Sequence, residues 1–397
     1  MSERDQSYSR QRGNDGAERF YGVVVPLRRL RVTGSDRYSP PVTINTGTDE
    51  AVQADEILDP AAHAAAMVGH HYRVDDYYEV GREKVREYAR AVQDYHPVHW
   101  DEDLAQEYGY DGLLAPLTFI SLVGILAQRK LFEQIVTGYD LSQIMQTDQI
   151  LEFHRPIRVG DQLVCDVYLH SFRQAFGGDI IVTKNIVTAQ NDELVLTTYT
   201  TLIGRSGGDI DPNLNDAVRN VLMHGIGEDA PQHRPRAIQS SVTPPPIASV
   251  PEVTPSKRAL SFDSVAVGDE LPARTVRLTR GDLVNYAGVS GDANPIHWSD
   301  DVIKLVGLDN VVAHGMLTMG LGGGFVTSWL GDPGAVKEYN VRFTSPVYVG
   351  TDEAAEIEYT GKVKSVDPET RTAVIAIVAK SAGRKIFGRA TATVQLS

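Results

Sequence analysis

Hydrophobic and polar positions along the chain become periodic from residue 68 onward. Residues 1–66 are rich in Arg, Asp, Ser and Gly with little periodicity, which predicts a mostly disordered extension. Within it, one short apolar segment at 21–27 and a weak helix over 61–67 are expected. Val85, Tyr88, Ala89 and Val92 recur at helical spacing and predict a helix over 80–92. A short helix is expected over 101–108. An apolar helix is expected from Pro116 to about Phe132, because a first turn tolerates the missing proline N–H. Residues 133–150 read as an extra connection, and strand-like alternation follows at 162–172, 180–189 and 194–203.

The pattern then breaks. Eight of the 20 prolines fall in 206–256, which reads as a linker with a short helix over 213–223. From Lys257 the order of the first half returns. A strand opens at 267–271, and a helix follows over 279–289 with Thr279 as N-cap and Asp282 in its first turn. An apolar, Gly-rich helix is expected after Gly315, then strands at 354–363, 372–381 and 386–395. Asp94-Tyr-His-Pro-Val-His99 aligns with Asp292-Ala-Asn-Pro-Ile-His297, Leu117-Thr118-Phe119 with Leu317-Thr318-Met319, and Phe153-His-Arg-Pro with Phe343-Thr-Ser-Pro. A period of about 190 residues means duplicated domains and not a solenoid. The expected division is an extension at 1–66, a first domain at 67–205, the linker at 206–256 and a second domain at 257–397.

Chemistry concentrates in Tyr286-Ala-Gly-Val-Ser-Gly-Asp-Ala-Asn-Pro-Ile-His-Trp298. Asp292 and His297 can together take up and return a proton. Asn294 and Pro295 favour a tight turn that brings both side chains to one face. His314-Gly315-Met316 follows at a helix entrance, where a glycine lets a backbone N–H approach a ligand and the helix N-terminus suits a developing oxyanion. The first half keeps Asp94 and His99, but Gln93 replaces Gly291, His96 replaces Asn294, and Leu114-Ala115-Pro116 replaces the glycine loop. Pro116 has no N–H to donate.

A formal charge of −14 argues against nucleic-acid binding and against a wholly basic docking face. The single cysteine, Cys165, excludes an internal disulfide and a cysteine-rich metal site. No apolar run approaches the roughly 18 residues of a membrane span, and a cytoplasmic protein is expected. One loop histidine, His314, is a poor metal site, and no metal or cofactor is expected.

These two stretches resemble the hydratase 2 motif of the MaoC-like dehydratase family, matching its Asp, Asn and His positions and its His-Gly-Met. The resemblance implies an α+β fold of two hot-dog domains, each an antiparallel sheet wrapped around a central helix. The two sheets would pair as an intramolecular pseudo-dimer with the site in the groove between them. It implies water addition or removal across the 2,3 bond of a (3R)-hydroxyacyl thioester. Asp292 and His297 would be catalytic, His297 as the base at C2 and Asp292 as the acid at the C3 hydroxyl, or sharing one water. Gly315 would polarise the thioester carbonyl, and Asn294 would orient the pair. His314, Met316, Leu117 and Phe119 are expected against substrate, with Asp94 and His99 a vestigial site. Double hot-dog members of the family usually keep one active half.

The whole chain resembles a fusion of the two subunits of an actinobacterial (3R)-hydroxyacyl-ACP dehydratase, 68–205 the tunnel subunit and 257–397 the catalytic one. His99 departs from the tunnel subunit's pattern, and the connection at 129–150 suits a lining for a long acyl chain. The expected reaction forms trans-2-enoyl-ACP in type II fatty-acid elongation, mycolic-acid elongation included. The expected partners are an acyl-ACP or acyl-CoA thioester and acyl carrier protein. An (R)-specific enoyl-CoA hydratase, a hot-dog thioesterase and a non-enzymatic acyl-binding scaffold are the alternatives.

Overall fold

The computed structural model describes residues 59–74, 76–134, 136–137, 139, 144–175, 177–204 and 240–397. The expectations for 1–58 and for a helix over 213–223 lie outside them. The first half runs α1 (Pro60–Ala66), β1 (His71–Arg73), β2 (Tyr78–Glu79), α2 (Arg82–Ala91), α3 (Glu102–Glu107), α4 (Ser121–Gln134), β3 (Met145–Phe153), β4 (Gln162–Ala175), β5 (Gly178–Thr188) and β6 (Leu194–Gly204). The second half runs β7 (Glu270–Leu278), α5 (Arg280–Ser290), α6 (Asp300–Val306), β8 (Val311–Val312), α7 (Gly315–Leu330), β9 (Val336–Phe343), β10 (Tyr348–Val349), β11 (Ala355–Asp367), β12 (Thr372–Ser381), β13 (Arg384–Lys385) and β14 (Phe387–Gln395).

One antiparallel sheet carries both halves in the order β1-β4-β5-β6-β3-β9-β14-β12-β11-β7. The order reads alike from either edge, so the halves are pseudo-symmetric about the β3–β9 seam. That seam pairs residues from Asp148↔Arg342 to Glu152↔Glu338. It joins two hot dogs, with α4 and α7 as their central helices.

Both seam strands end at the repeated Phe-x-x-Pro motifs. Residues 145–150, read from the sequence as connection, belong to β3. The alternation there is masked because Gln149 is polar yet points inward with Leu151. The first central helix begins at Ser121 and not at Pro116. Residues 117–120 instead make turns, with the Phe119 N–H donating to the Pro116 carbonyl (2.9 Å) and Ser121 to Thr118 (3.0 Å). The last part of the expected extension is a packed helix, capped by Asp59 and burying Ala61 and Ala64. The end of the expected linker lies against the first half: Ser241 bridges His71, and the Leu194 N–H donates to the Ser249 carbonyl at 2.9 Å.

The apolar α7 is buried along most of its length. A Cβ on Gly320 would stand 2.7 Å from a Val92 methyl and 2.8 Å from the Thr118 hydroxyl, so absence of a side chain lets the first half dock there. At Gly322 the neighbour is Tyr339, whose hydroxyl donates to the Met319 carbonyl at 2.9 Å. Tyr88 of α2 and Tyr286 of α5 meet across the halves with ring centres 6.0 Å apart.

Candidate active site

The capping box Thr279/Asp282 starts α5, and Gly291 ends it with φ 78. This left-handed cap turns the chain so that Asp292 leaves the helix end at the start of the next turn. The Asp292 N–H donates to Ser290 Oγ (3.2 Å), and the Asn294 N–H donates to Asp292 Oδ1 (3.3 Å). The Asn294 side chain caps the 3-10 turn Pro295–His297 by accepting from the Ile296 N–H at 3.2 Å. Asn294 thus holds the dyad through its backbone and through the turn.

His297 Nδ1–H donates to the Val312 carbonyl at 2.7 Å, which leaves Nε2 as the acceptor. That Nε2 lies 3.9 Å from Asp292 Oδ2. Burial pushes the His297 imidazolium pKa down more than the Asp292 charge and the Val312 carbonyl raise it, so the ring is held neutral. His314 stacks on His297 with ring centres 3.6 Å apart and planes at 25°. Its Nε2–H donates to the Asp292 carbonyl (3.2 Å), and burial followed by repulsion from His297 lowers its pKa well below the ordinary range. Its Nδ1 has no hydrogen-bond partner among the described residues. Gly315 follows as the first residue of α7, and no side-chain hydrogen bond caps that helix end.

Asp292, His297 and His314 present donor atoms within 4.8 Å of one another. The set suits a shared metal ion poorly. An imidazole lone pair lies in its ring plane, and two nearly parallel rings stacked face to face do not aim at one point about 2 Å from each nitrogen.

Asp292, Ser290, Tyr286 and Met316 line a cavity of about 90 Å³ that continues between α4 and the sheet of the first half. Ser290 and Tyr286 therefore also face the cavity. The first half contributes polar residues of the sheet, Gln149, Thr198 and Thr200 among them, and Ser121, Gly124, Gln128 and the apolar Ile120 and Ile125 from α4 and the turn before it. Leu117 and Phe119, expected there, are not among them. Leu117 is buried at the Gly323 position of α7, and Phe119 packs edge-on against Tyr88 with ring centres 5.4 Å apart. The helix begins later than expected, so its cavity-facing residues come later too.

The first-half pair repeats the geometry. His99 Nδ1–H donates to the Leu114 carbonyl at 2.7 Å, again fifteen residues on, and Nε2 lies 3.4 Å from Asp94 Oδ2. His96 takes the place of Asn294: its N–H donates to Asp94 Oδ1 (3.2 Å). Gln93 holds φ 50 where Gly291 stood. Burial raises the Asp94 pKa, but the charge and proximity of His99, with the His96 N–H, more than offset it and keep the carboxyl below its ordinary value. The surroundings differ. Asp94 and His99 are 2% and 0% exposed, and the Asp94 carboxyl carbon lies 3.3 Å from where a Cβ on Gly324 would stand. Gly124, the counterpart of Gly324 in α4, lines the open cavity beside Asp292. Each dyad faces the other half's central helix, closed at Asp94 and open at Asp292.

Comparison with known proteins agrees with this duplication. Residues 66–198 match the FAS1-like dehydratase domain region, and residues 264–380 match the MaoC like domain. A UPF0336 protein of Mycobacterium tuberculosis is 54% identical over 148 residues, 37% of this chain and 94% of the relative. A solved MaoC-like dehydratase is 48% identical, with a TM-score of 0.77 over 84% of this chain and 100% of the other. A Mycobacterium tuberculosis protein with a double hotdog fold, 17% identical, aligns with a TM-score of 0.54 over 83% of this chain and 96% of its own, a likeness of fold. With both halves matched and a relative of 48% identity covered over its full length, the chain belongs to the MaoC-like dehydratase family.

Proposed function

We propose that the protein is a (3R)-hydroxyacyl-thioester dehydratase with one working site, at Asp292 and His297, and that its substrate is carried on acyl carrier protein. Family membership supports a hydro-lyase. The observation that carries the assignment of the site is the cavity that Asp292 lines, since the Asp94–His99 pair has the same pinned tautomer but is sealed. At the His297 ring the Nδ1–H is committed to Val312, and the remaining Nε2 lies 3.9 Å from Asp292 Oδ2. At that separation both heteroatoms can hydrogen-bond one oxygen lying to one side of them, either a water or the C3 hydroxyl.

In the dehydration direction His297 Nε2 takes the C2 proton. The C2–H electron pair forms the C2=C3 bond, the C3–O bond breaks, and the oxygen leaves as water with a proton from Asp292 in its acid form, which the proton taken by His297 then restores. Hydration is the reverse, with one water split between C2 and C3. Charge that develops on the thioester oxygen meets the N-terminal end of α7 at Gly315, where an N–H donor stabilises it. His314 holds the Asp292 backbone and covers the other face of His297, so that the base keeps its orientation.

An (R)-specific enoyl-CoA hydratase would use the same site and run the same reaction backwards, and only carrier and chain length separate the two readings. The test is turnover of trans-2-enoyl thioesters on CoA and on acyl carrier protein by the full chain and by Asp292→Asn and His297→Gln. Each variant should lose roughly 10²- to 10⁴-fold in rate with folding retained. Undiminished turnover in either variant removes the dyad. Equal kcat/KM on both carriers removes the preference for the carrier protein.

A further inference from the structure

The sheet wall of the cavity beside Asp292 is polar, built from Gln146, Gln149, Asn185, Thr198 and Thr200, while Ile120, Ile125, Tyr286 and Met316 supply apolar surface elsewhere in the lining. Thr183 and Thr200 pair across β5 and β6, as do Asn185 and Thr198, and Gln149 pairs with Thr200 across β3 and β6. These five side chains point inward from adjacent strands, and none is more than 5% exposed. They are linked: Gln128 of α4 donates to Thr200 (2.9 Å) and Thr183 (3.2 Å), and Thr200 donates to Gln149 (2.9 Å). Gln146 donates to the same Gln149 oxygen at 2.8 Å and reaches the Met316 sulfur at 3.6 Å, so the polar wall begins at the catalytic loop.

The second half supplies an internal reference. Counting along the repeat, Gln149 corresponds to Tyr339, which pairs with Ala392 as Gln149 pairs with Thr200. Ala392 in turn pairs with Ile375, as Thr200 pairs with Thr183. Where the second half has buried Tyr, Ala and Ile, the first has Gln, Thr and Thr, of which Gln149 and Thr200 line the cavity. A fold that tolerates apolar residues at these positions has no structural need for polar ones. Burying them is costly unless each is hydrogen-bonded.

One of them is not. Asn185 lines the cavity, is 2% exposed, and donates its amide to Thr198 at 3.1 Å. Its Oδ1 has no hydrogen-bond partner among the described residues. Whichever way the amide is turned, one polar atom is left for an outside group. A hydroxyl both donates and accepts, so it satisfies either orientation.

We infer that the acyl chain of the substrate carries an oxygen function beyond C3, a hydroxyl for choice, which seats against Asn185, Thr198, Thr200 and Gln149. The inference rests on the dehydratase reading of Asp292 and His297. The free end of the chain is the part that belongs here, since the carrier arm must leave toward solvent while these residues lie inside the first hot dog.

The test uses trans-2-hexenoyl pantetheine and counterparts with one hydroxyl at each successive carbon beyond C3. The full chain should turn over at least one hydroxylated member with kcat/KM about tenfold or more above the hydrocarbon, the worth of one buried hydrogen bond. Thr200→Val, which keeps the shape, and Asn185→Leu should each bring that ratio toward parity or invert it. Preference for the hydrocarbon by the full chain overturns the inference and leaves the dehydratase reading standing. An equal loss on every thioester in both variants also overturns it, because that outcome assigns the polar wall to the shared pantetheine arm. Should no thioester turn over, calorimetric titration with the saturated hexanoyl pantetheine and its hydroxylated counterparts still decides: tighter binding of a hydroxylated member supports the inference, and equal or weaker binding refutes it.

Discussion

The imidazole of His297 lies flat on that of His314, with ring centres 3.6 Å apart. Such a stack is comfortable only while both rings are neutral, and burial lowers the pKa of both. A base must be unprotonated to act, so the acid limb of the pH–rate profile should fall below the ordinary histidine value of about 6.5. Stability carries the same sign. Below about pH 6.5 the unfolded histidines bind protons that the folded ones refuse, so unfolding becomes easier as pH falls from there toward the lowered folded values. Urea unfolding at several pH values, with the pH–rate profile, checks both. A rate already lost above 6.5 on the acid side contradicts the neutral stack.

Asp94→Asn combined with His99→Gln should leave most turnover intact and should lower the unfolding midpoint. The pair is sealed against α7, Pro116 has no N–H to offer, and the Ala115 N–H already donates to the Ile157 carbonyl at 2.8 Å. Losing an oxyanion donor alone costs roughly 10²- to 10³-fold. Loss of half the turnover, with an Asp292/His297 double variant keeping the rest, would make both halves active.

Gly320→Ala and Gly322→Ala should each destabilise the chain by about 1–3 kcal/mol through overpacking. Ala favours a helix over Gly, so a variant of unchanged or raised stability in thermal unfolding would mean that the neighbours of α7 yield easily.

Leu117→Ala should cost stability, about 2–5 kcal/mol as for other buried leucines, with little change in the ranking of acyl substrates. Leu117 sits at the contact of the halves and not in the cavity wall. A changed chain-length preference, read from kcat/KM over a series of enoyl thioesters, would return it to the substrate site.

A protease cut introduced between residues 206 and 239 should leave the two pieces co-eluting in size exclusion. The β3–β9 ladder, the Tyr88–Tyr286 contact and the Tyr110 hydroxyl on Asp332 (2.7 Å) join the halves independently of that connection. Glu152 and Glu338 oppose each other at the end of the ladder, where burial and then this like charge raise the Glu152 pKa. Glu338→Gln should therefore strengthen the association, measured as a higher unfolding midpoint.

The repeat, the Asp-Asn-His turn and the glycine at the helix entrance were legible in the sequence because local chemistry governs them. A left-handed cap wants glycine, an Asn-Pro pair makes a turn, and a helix start exposes N–H groups. The seam was less legible: β3 carries an inward Gln149 that breaks its hydrophobic alternation, and pairing with β9 is a contact between residues distant in sequence, from Asp148↔Arg342 to Glu152↔Glu338. Only the tertiary structure decided which carbonyl, Val312, sets the His297 tautomer, and that Ser121, Gly124 and Gln128, not Leu117 and Phe119, face the cavity. It alone distinguished two dyads whose internal geometry is nearly the same. What separates Asp292 from Asp94 is the opposing helix of the other half, and what polar Thr198, Thr200 and Asn185 mean depends on which face of the strand they take. Both are set by how the two sheets close around their helices, a long-range packing outcome that no local spacing encodes.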